Sequence, residues 1–223
     1  MTLRLPLRLL ALFLFAANAY AQNVPTTYLD ENKKPLTAAQ FEQRVKDGAH
    51  GNVMKRMKDG VVLEVTMQIS PKNAPPAPKL KYKIKPGESF PAFSLEQLAG
   101  GKIDNAALMG RYTLVNFYFA ACAPCVEEVP ELNELKSDRP DMNFVGMSFD
   151  SQEEAARFVV EHHFVWKLLP MASATLDTLG IKTYPTFALL DPKGKLVAIA
   201  QTADIIKSDK SVTAWVKRLV KPA

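Results

Sequence analysis

Cysteine and histidine are scarce in this sequence of 223 residues, which contains two cysteines and three histidines. Cys122 and Cys125 lie three positions apart, and a disulfide across so short a loop removes little entropy from the unfolded chain. A structural zinc site needs four ligands, and the adjacent His162 and His163 would point about 100° apart on a helix. The composition therefore argues against a disulfide-stapled scaffold and against a metal site, and we predict no metal and no other cofactor.

A strong excess of one charge is also missing. Lysine and arginine number 28 against 23 aspartates and glutamates. Arg4 and Arg8 lie in a segment that we expect to be removed, which leaves 28 − 2 = 26 against 23. So mild an excess, with no basic face interleaved with aromatic side chains, predicts a mildly basic protein and no nucleic-acid partner.

Long apolar runs are confined to the N-terminus. Residues 1–21 combine two arginines, an apolar core at 9–17 and a small-x-small sequence at 19–21, which is typical of a signal peptide cleaved before Gln22. The apolar core is about half as long as the roughly 20 residues of a membrane-spanning helix, which argues against an uncleaved anchor. We therefore expect a periplasmic protein, soluble after cleavage, in a compartment where disulfides form.

Residues 22–70 are predicted to form a small α+β module. Thr37 and Gln40 have the spacing of a capping box at the start of a helix that extends to about residue 46. Segments 53–57 and 61–69 flank an Asp-Gly turn, which is typical of a β-hairpin. The module would either dock a partner or a second copy of the chain, or serve as a structural cap on the main domain.

Five prolines fall between residues 71 and 86. Such a composition favours a stiff, extended segment, so we place a linker at 71–86 and the main domain at 87–223. The predicted strands of the main domain are 114–119, 144–149, 187–190 and 196–200, and its predicted helices are 122–137, 152–163, 175–179 and 209–220. Pro130 should kink the first of these helices, because a proline inside a helix removes one hydrogen bond. Ser151 and Glu154 have the spacing of a capping box at the start of the second. Strands that alternate with helices in this way predict an α/β fold with a mixed sheet.

The central motif of the main domain is the pair of cysteines that follows the apolar segment 114–119. A cysteine at a helix N-terminus meets unpaired N–H groups and the positive end of the helix dipole, which favour the thiolate. We predict that Cys122 attacks a disulfide, and that the less exposed Cys125 then resolves the mixed disulfide. Pro124 stiffens the intervening loop. The alternative is a pair of inert, buried thiols.

A second motif, Tyr184-Pro185, precedes the segment 187–190. A cis bond before Pro185 would expose the backbone of Tyr184 beside the cysteines, where an extended substrate could pair with it as a temporary strand. The alternative is a proline that simply opens an edge strand.

The sequence Asn-Phe-Tyr-Phe-Ala-Ala-Cys-Ala-Pro-Cys at 116–125, with Tyr-Pro-Thr-Phe at 184–187, resembles the thioredoxin superfamily. Within it, the chain is similar to the TlpA-like and ResA-like thiol–disulfide oxidoreductases of bacterial envelopes. The resemblance covers residues 87 to about 220 and not 22–85. It implies a thioredoxin fold, a mixed central sheet flanked by helices, here with a small N-terminal α+β extension. It also implies a cis Pro185 and a reductase role, often toward apocytochrome c. Because the compartment is oxidising, we expect such a reductase to receive electrons from a membrane donor of the envelope.

The resemblance also suggests a proton acceptor. Thioredoxins proper have a buried aspartate where this chain has Asn116, whereas ResA-like members have a glutamate three residues after the second cysteine. Glu128 matches that position, and a partly buried carboxylate with a raised pKa could take the proton of Cys125. The alternative is a solvated glutamate in the first helical turn, and we expect Glu127 to be of that kind.

Two positions depart from the family pattern. Ala121 stands where the family usually has tryptophan, and Tyr184 is bulkier than the residue that usually precedes the proline. We therefore expect Ala121 and Tyr184, together with Pro124, to contact the client protein and to determine which client is recognised.

Three other activities are compatible with the motif. A disulfide oxidase or isomerase is less favoured than a reductase, because the loop of Ala123 and Pro124 has no histidine to stabilise a thiolate. A peroxiredoxin-like peroxidase would need a threonine or serine where Phe119 stands. A non-enzymatic binding module would use the groove near Pro185, or its two thiols, to hold a partner.

Overall fold

A computed structural model describes residues 25–49, 51–58, 61–70 and 81–220. The predicted signal peptide, most of the predicted linker and the Asp-Gly turn of the predicted hairpin lie outside the described residues. Among the described residues, no helix combines the length and the apolar character that crossing a membrane requires.

The N-terminal module is a four-stranded sheet with one helix. Its elements are β1 (Thr26–Leu29), β2 (Pro35–Leu36), α1 (Ala38–Lys46), β3 (Gly51–Lys58) and β4 (Val61–Ile69), and the strand order is β2-β1-β4-β3. The backbone N–H of Gln40 donates to the hydroxyl of Thr37 at 3.2 Å, and that of Thr37 donates to the side chain of Gln40 at 2.9 Å. This capping box and the antiparallel pairing of β3 with β4 confirm the predicted helix and hairpin.

The main domain is built on a five-stranded mixed sheet. The elements of the domain are β5 (Ser94–Glu96), β6 (Lys102–Asp104), β7 (Thr113–Phe117), α2 (Ala123–Glu127), α3 (Val129–Asp138), β8 (Asn143–Met147), α4 (Gln152–His162), β9 (Lys167–Leu169), α5 (Ser173–Leu179), β10 (Thr186–Leu190), β11 (Leu196–Gln201), α6 (Thr202–Asp209) and α7 (Val212–Leu219). Strands β5 and β6 pair with each other in a separate two-stranded sheet. The sheet order is β11-β10-β7-β8-β9. Strands β7, β8 and β9 are parallel, whereas β10 and β11 run antiparallel to their neighbours. The predicted α/β fold is confirmed.

Strand β7 lies at the centre of this sheet. All five of its residues are buried, because helices cover both faces of the sheet and neighbouring strands cover both edges of β7. This explains its nearly continuous apolar sequence. The strand therefore holds the segment leading to the cysteines in a rigid position.

Two predicted helices have different bounds in the structure. The helix expected over 122–137 is divided at Glu128 into α2 and α3, because Pro130 has no N–H to continue the hydrogen-bond ladder. The helix expected from residue 209 begins later. Lys210 has a left-handed φ of 71°, and Ser211 caps α7 by accepting a hydrogen bond from the N–H of Ala214 at 3.0 Å.

Residues 81–86, the last part of the predicted linker, pack against the main domain. The N–H of Lys83 donates to the carbonyl of Leu179 at 2.9 Å, and Ile84 is buried. Gly87 continues the contact by donating to the carbonyl of Leu196 at 2.7 Å. This part of the proline-rich segment therefore runs along the surface of the domain and is fixed to it.

Gly146 in β8 lies where neighbouring side chains leave no room for a Cβ atom. A Cβ atom at this position would lie 2.6 Å from Cδ2 of Leu168 and 3.1 Å from Cε1 of Tyr118. We predict that Gly146→Ala lowers the free energy of unfolding by about 1–3 kcal/mol, since both neighbours are buried and cannot move away freely. Urea denaturation measures the change, and an unchanged midpoint and slope would contradict it.

Candidate active site

The disulfide lies where the central strand leads into a helix. Strand β7 ends at Phe117, and Cys122 is the N-cap residue of α2. Cys122 and Cys125 are joined by a disulfide with their Cα atoms 5.2 Å apart. The sulfur of Cys122 accepts a hydrogen bond from the backbone N–H of Cys125 at 3.3 Å. After reduction, the same N–H and the helix dipole would favour a thiolate at Cys122.

The two cysteines do not differ in exposure as we expected. Cys122 is 2% exposed and Cys125 is 1% exposed in the disulfide form. The neighbouring Ala121 is exposed, and Pro124 in the first turn of α2 is half-buried. Ala121 and Pro124 are thus more accessible than the disulfide beside them, and the cysteines must be distinguished by their place on the helix.

Glu128 lies at the junction between α2 and α3. Both of its carboxylate oxygens are buried, and neither has a hydrogen-bond partner among the described residues. Burial raises the pKa of Glu128 from 4.5 to about 8. The hydroxyl of Thr202 lies near enough to lower this pKa, while the charges of Glu131 and Glu127 raise it. The site therefore holds a carboxyl group that can gain or lose a proton near neutral pH.

Glu127, the residue before it, is in a different environment. Its side chain is 52% exposed, and its carboxylate lies 3.6 Å from Nζ of Lys46 at the end of α1. The prediction of a solvated Glu127 is confirmed. The ion pair also shows that the N-terminal module contacts the helix that carries the cysteines.

Asn116 occupies the position of the aspartate found in thioredoxins proper. It is buried in β7 beside Gly146 of β8 and Phe187 of β10. Its Oδ1 atom has no hydrogen-bond partner within the described part of the chain. A side-chain amide neither ionises nor gains a proton near neutral pH, so it cannot replace a carboxyl group such as Glu128 as a proton acceptor.

The loop before β10 lies beside an aromatic cluster. The peptide bond between Tyr184 and Pro185 is cis. The ring of Tyr184 makes edge contacts with Phe119 at 5.4 Å and with Phe149 at 5.7 Å between centroids. Burial raises the pKa of Tyr184, and the charges of Asp150 and Asp177 raise it further. Packing against these two rings therefore holds the ring of Tyr184, which we expect to contact the client, in a fixed position.

The structure also contains a cavity that sequence reasoning missed. It has a volume of about 280 Å³, and its lining includes Ala121, Phe119, Asp150 and Arg157 of the main domain and Val65 of the module. The carboxylate of Asp150 accepts a hydrogen bond from the N–H of Ala120 at 2.8 Å, which fixes the loop before Cys122. The cavity combines residues distant in sequence, so local patterns gave no signal for it.

Comparisons with known proteins match the main domain. A sequence model of the AhpC/TSA family matches residues 86–199. The thioredoxin-like protein YneN of Bacillus subtilis (strain 168) is 28% identical over 121 residues, 52% of this chain and 71% of that protein. The thiol-disulfide oxidoreductase ResA of Bacillus thuringiensis (strain Al Hakam) is 29% identical over 121 residues, 52% of this chain and 70% of that protein.

A solved structure extends this similarity to three dimensions. The thiol-disulfide oxidoreductase from Bacteroides fragilis NCTC 9343 is 27% identical and has a TM-score of 0.52. The match covers 60% of this chain and 100% of that one. Together with the mixed sheet, these similarities confirm the predicted thioredoxin fold and the similarity to ResA.

Proposed function

Because the chain belongs to the AhpC/TSA family and is a thiol–disulfide oxidoreductase with a thioredoxin fold, we propose that it reduces disulfides of client proteins in the cell envelope. The observation that carries this proposal is the Cys122–Cys125 disulfide at the start of α2. Export is supported by the signal peptide predicted over residues 1–21.

The two cysteines act in sequence. In the reduced protein, the thiolate of Cys122 attacks one sulfur of the client disulfide, which breaks that bond and releases the other client sulfur as a thiolate. The thiolate of Cys125 then attacks the sulfur of Cys122, which releases the second client sulfur. Two electrons pass to the client, and the protein is left with the disulfide that the structure contains.

Glu128 serves as the proton acceptor of the second step. Its pKa of about 8 is close to the value of about 8.5 for a free cysteine thiol. Proton transfer between groups of similar pKa needs little free energy, so the carboxylate can take the proton of Cys125 as this sulfur attacks. Burial of both carboxylate oxygens shields this group from bulk water, which keeps its pKa raised.

Reduction in an oxidising compartment needs a supply of electrons. We propose a membrane electron donor of the envelope that returns the Cys122–Cys125 disulfide to the dithiol. The client proposed is apocytochrome c, because the chain resembles ResA-like reductases. The exposed Ala121 and the half-buried Pro124 and Tyr184 would form the surface that receives it.

A peroxidase function is less well supported. The residue three positions before Cys122 is Phe119, whose ring is buried against Phe149 and Tyr184. A phenyl ring cannot donate a hydrogen bond to a peroxide, as a threonine or serine at this position would.

The reduction potential of the cysteine pair tests the direction of the reaction. We predict a value of about −250 mV or lower, measured by equilibration with dithiol buffers and alkylation of the free thiols. A value of about −120 mV would instead identify an oxidase. Reduction of an oxidised Cys-x-x-Cys-His peptide, the sequence to which c-type haem attaches, tests the client class. Faster consumption of peroxide than of this peptide would favour the peroxidase.

A further inference from the structure

A second cavity lies at the opposite end of the sheet from the disulfide. Its volume is about 480 Å³, and it is lined by Arg111, which precedes β7, and by Asn143, the first residue of β8. Cys122 follows the other end of β7. Since β7 and β8 are parallel, the cavity and the cysteines are separated by the length of the strands. We call this space the basic cavity.

The lining of the basic cavity is apolar inside and cationic at its rim. Five buried side chains form the apolar part: Ile103, Leu108, Met142, Phe144 and Val145. Four cationic residues also line it: Lys102, Arg111, Lys136 and Lys167. No carboxylate is among the described residues that line the cavity.

Most of these cations are not neutralised by a carboxylate. Lys102 lies 3.5 Å from a carboxylate oxygen of Glu96. For Arg111, Lys136 and Lys167, the part of the chain that the structure describes contains no salt bridge. Three positive charges therefore surround an apolar space without a fixed counter-charge.

Asp141, near the cavity, and Lys136, in its lining, each have a hydrogen-bond partner within the chain. Asp141 is near enough to interact with Arg111, but its two carboxylate oxygens accept hydrogen bonds from Arg139 at 2.8 and 2.7 Å. Lys136 donates to the carbonyl of Val165, which holds its ammonium group in place. Its pKa is lowered by burial and by the charge of Lys167. The two ammonium groups thus repel each other, and an anion between them would relieve that repulsion.

We propose that the basic cavity binds a small amphipathic anion, with one phosphate or carboxylate group at the cationic rim and an apolar chain against the buried side chains. The volume is within the range of about 300–1,000 Å³ that is common for small-molecule sites. Such a site is independent of the thiol chemistry, because its residues are at the far end of the sheet. It extends the function of the domain from disulfide exchange to binding of a second ligand.

Titration calorimetry with octyl phosphate tests the proposal on the full chain without its signal peptide. We expect one molecule to bind per chain, at least tenfold more tightly than inorganic phosphate, which lacks the apolar chain. Octanol, which lacks the charge, should bind at least tenfold more weakly than octyl phosphate. The affinity should fall as salt is added, because the charges at the rim are screened. Absence of octyl phosphate binding, or equal binding of octanol, would overturn the proposal.

Substitutions locate the site. Arg111→Gln with Lys167→Gln should weaken octyl phosphate binding at least tenfold. The matched control is Lys193→Gln with Lys207→Gln, which removes the same charge from exposed positions outside the described lining of the cavity and should leave binding within twofold. Unchanged disulfide reduction in both variants confirms that they are folded. Equal losses in the two double variants would show non-specific attraction and overturn the site.

Discussion

Cys122→Ser is expected to abolish disulfide reduction, whereas Cys125→Ser is expected to leave the protein covalently bound to its client. A serine hydroxyl is not ionised at neutral pH and does not exchange with disulfides, so turnover should fall by on the order of 1,000-fold or more. In the second variant the nucleophile remains at the helix N-terminus, where Cys122 caps α2. The mixed disulfide then forms, but no thiol on the helix can release it.

Non-reducing electrophoresis and intact mass distinguish the two variants. The adduct of the Cys125→Ser protein should have the combined mass of protein and client, and a dithiol should release it. Both cysteines are buried, so exposure does not decide which of them attacks the client, and the adducts of these variants do. Adducts with Cys122→Ser and none with Cys125→Ser would reverse the assigned order. Full turnover in either variant would contradict the mechanism.

Local sequence signals predicted the parts of the site that depend on neighbouring residues. The capping box of Ser151 and Glu154 is present at the start of α4, with the two reciprocal backbone contacts at 3.2 and 2.9 Å. Cys122 is at a helix N-terminus because the apolar strand and the following turn are consecutive in sequence. Pro130 likewise divides the helix after the cysteines.

Long-range packing produced the features that the sequence did not reveal. Strand β9 has three residues, too few for a periodic pattern, and it forms because β8 offers an open edge. Helix α6 follows β11 directly, and its Thr202 lies near Glu128. The carboxyl group is therefore buried partly by a helix that was not predicted. The burial of Cys122 and the cavity beside Ala121 also depend on contacts between distant segments.

Glu128→Gln should make the disulfide form more stable at alkaline pH. The pKa of Glu128 is about 8 in the folded protein against an ordinary 4.5, so between these values the folded state binds more protons than the unfolded state. Its contribution to stability is therefore complete below about pH 4.5 and is lost as the pH rises through 8. The two pKa values differ by about 3.5, and each pKa unit corresponds to 1.36 kcal/mol, so the stability lost through Glu128 is at most about 5 kcal/mol.

Urea denaturation at pH 4, 6 and 9 measures this effect. Glutamine has no charge to bury, so the variant should gain stability over the natural protein mainly at pH 9, with little difference at pH 4. Glu127→Gln is the matched control, because that neighbouring side chain is 52% exposed and should show no such pH dependence. An equal pH dependence for Glu128→Gln and the natural protein would show that the carboxyl group is not buried.

The same substitution should slow the second chemical step. With Glu128 as proton acceptor, release of the client from the mixed disulfide should accelerate as the pH rises toward about 8 and then level off as the carboxylate forms. Glu128→Gln should lower this rate by about 100-fold at neutral pH and remove the rise attributable to the carboxylate, since an amide accepts no proton. Attack by Cys122 should keep its rate, and stopped-flow measurements with a disulfide peptide separate the two steps. If Glu128→Gln slowed attack and release equally, the residue would act on the structure of the site and not on the proton of Cys125.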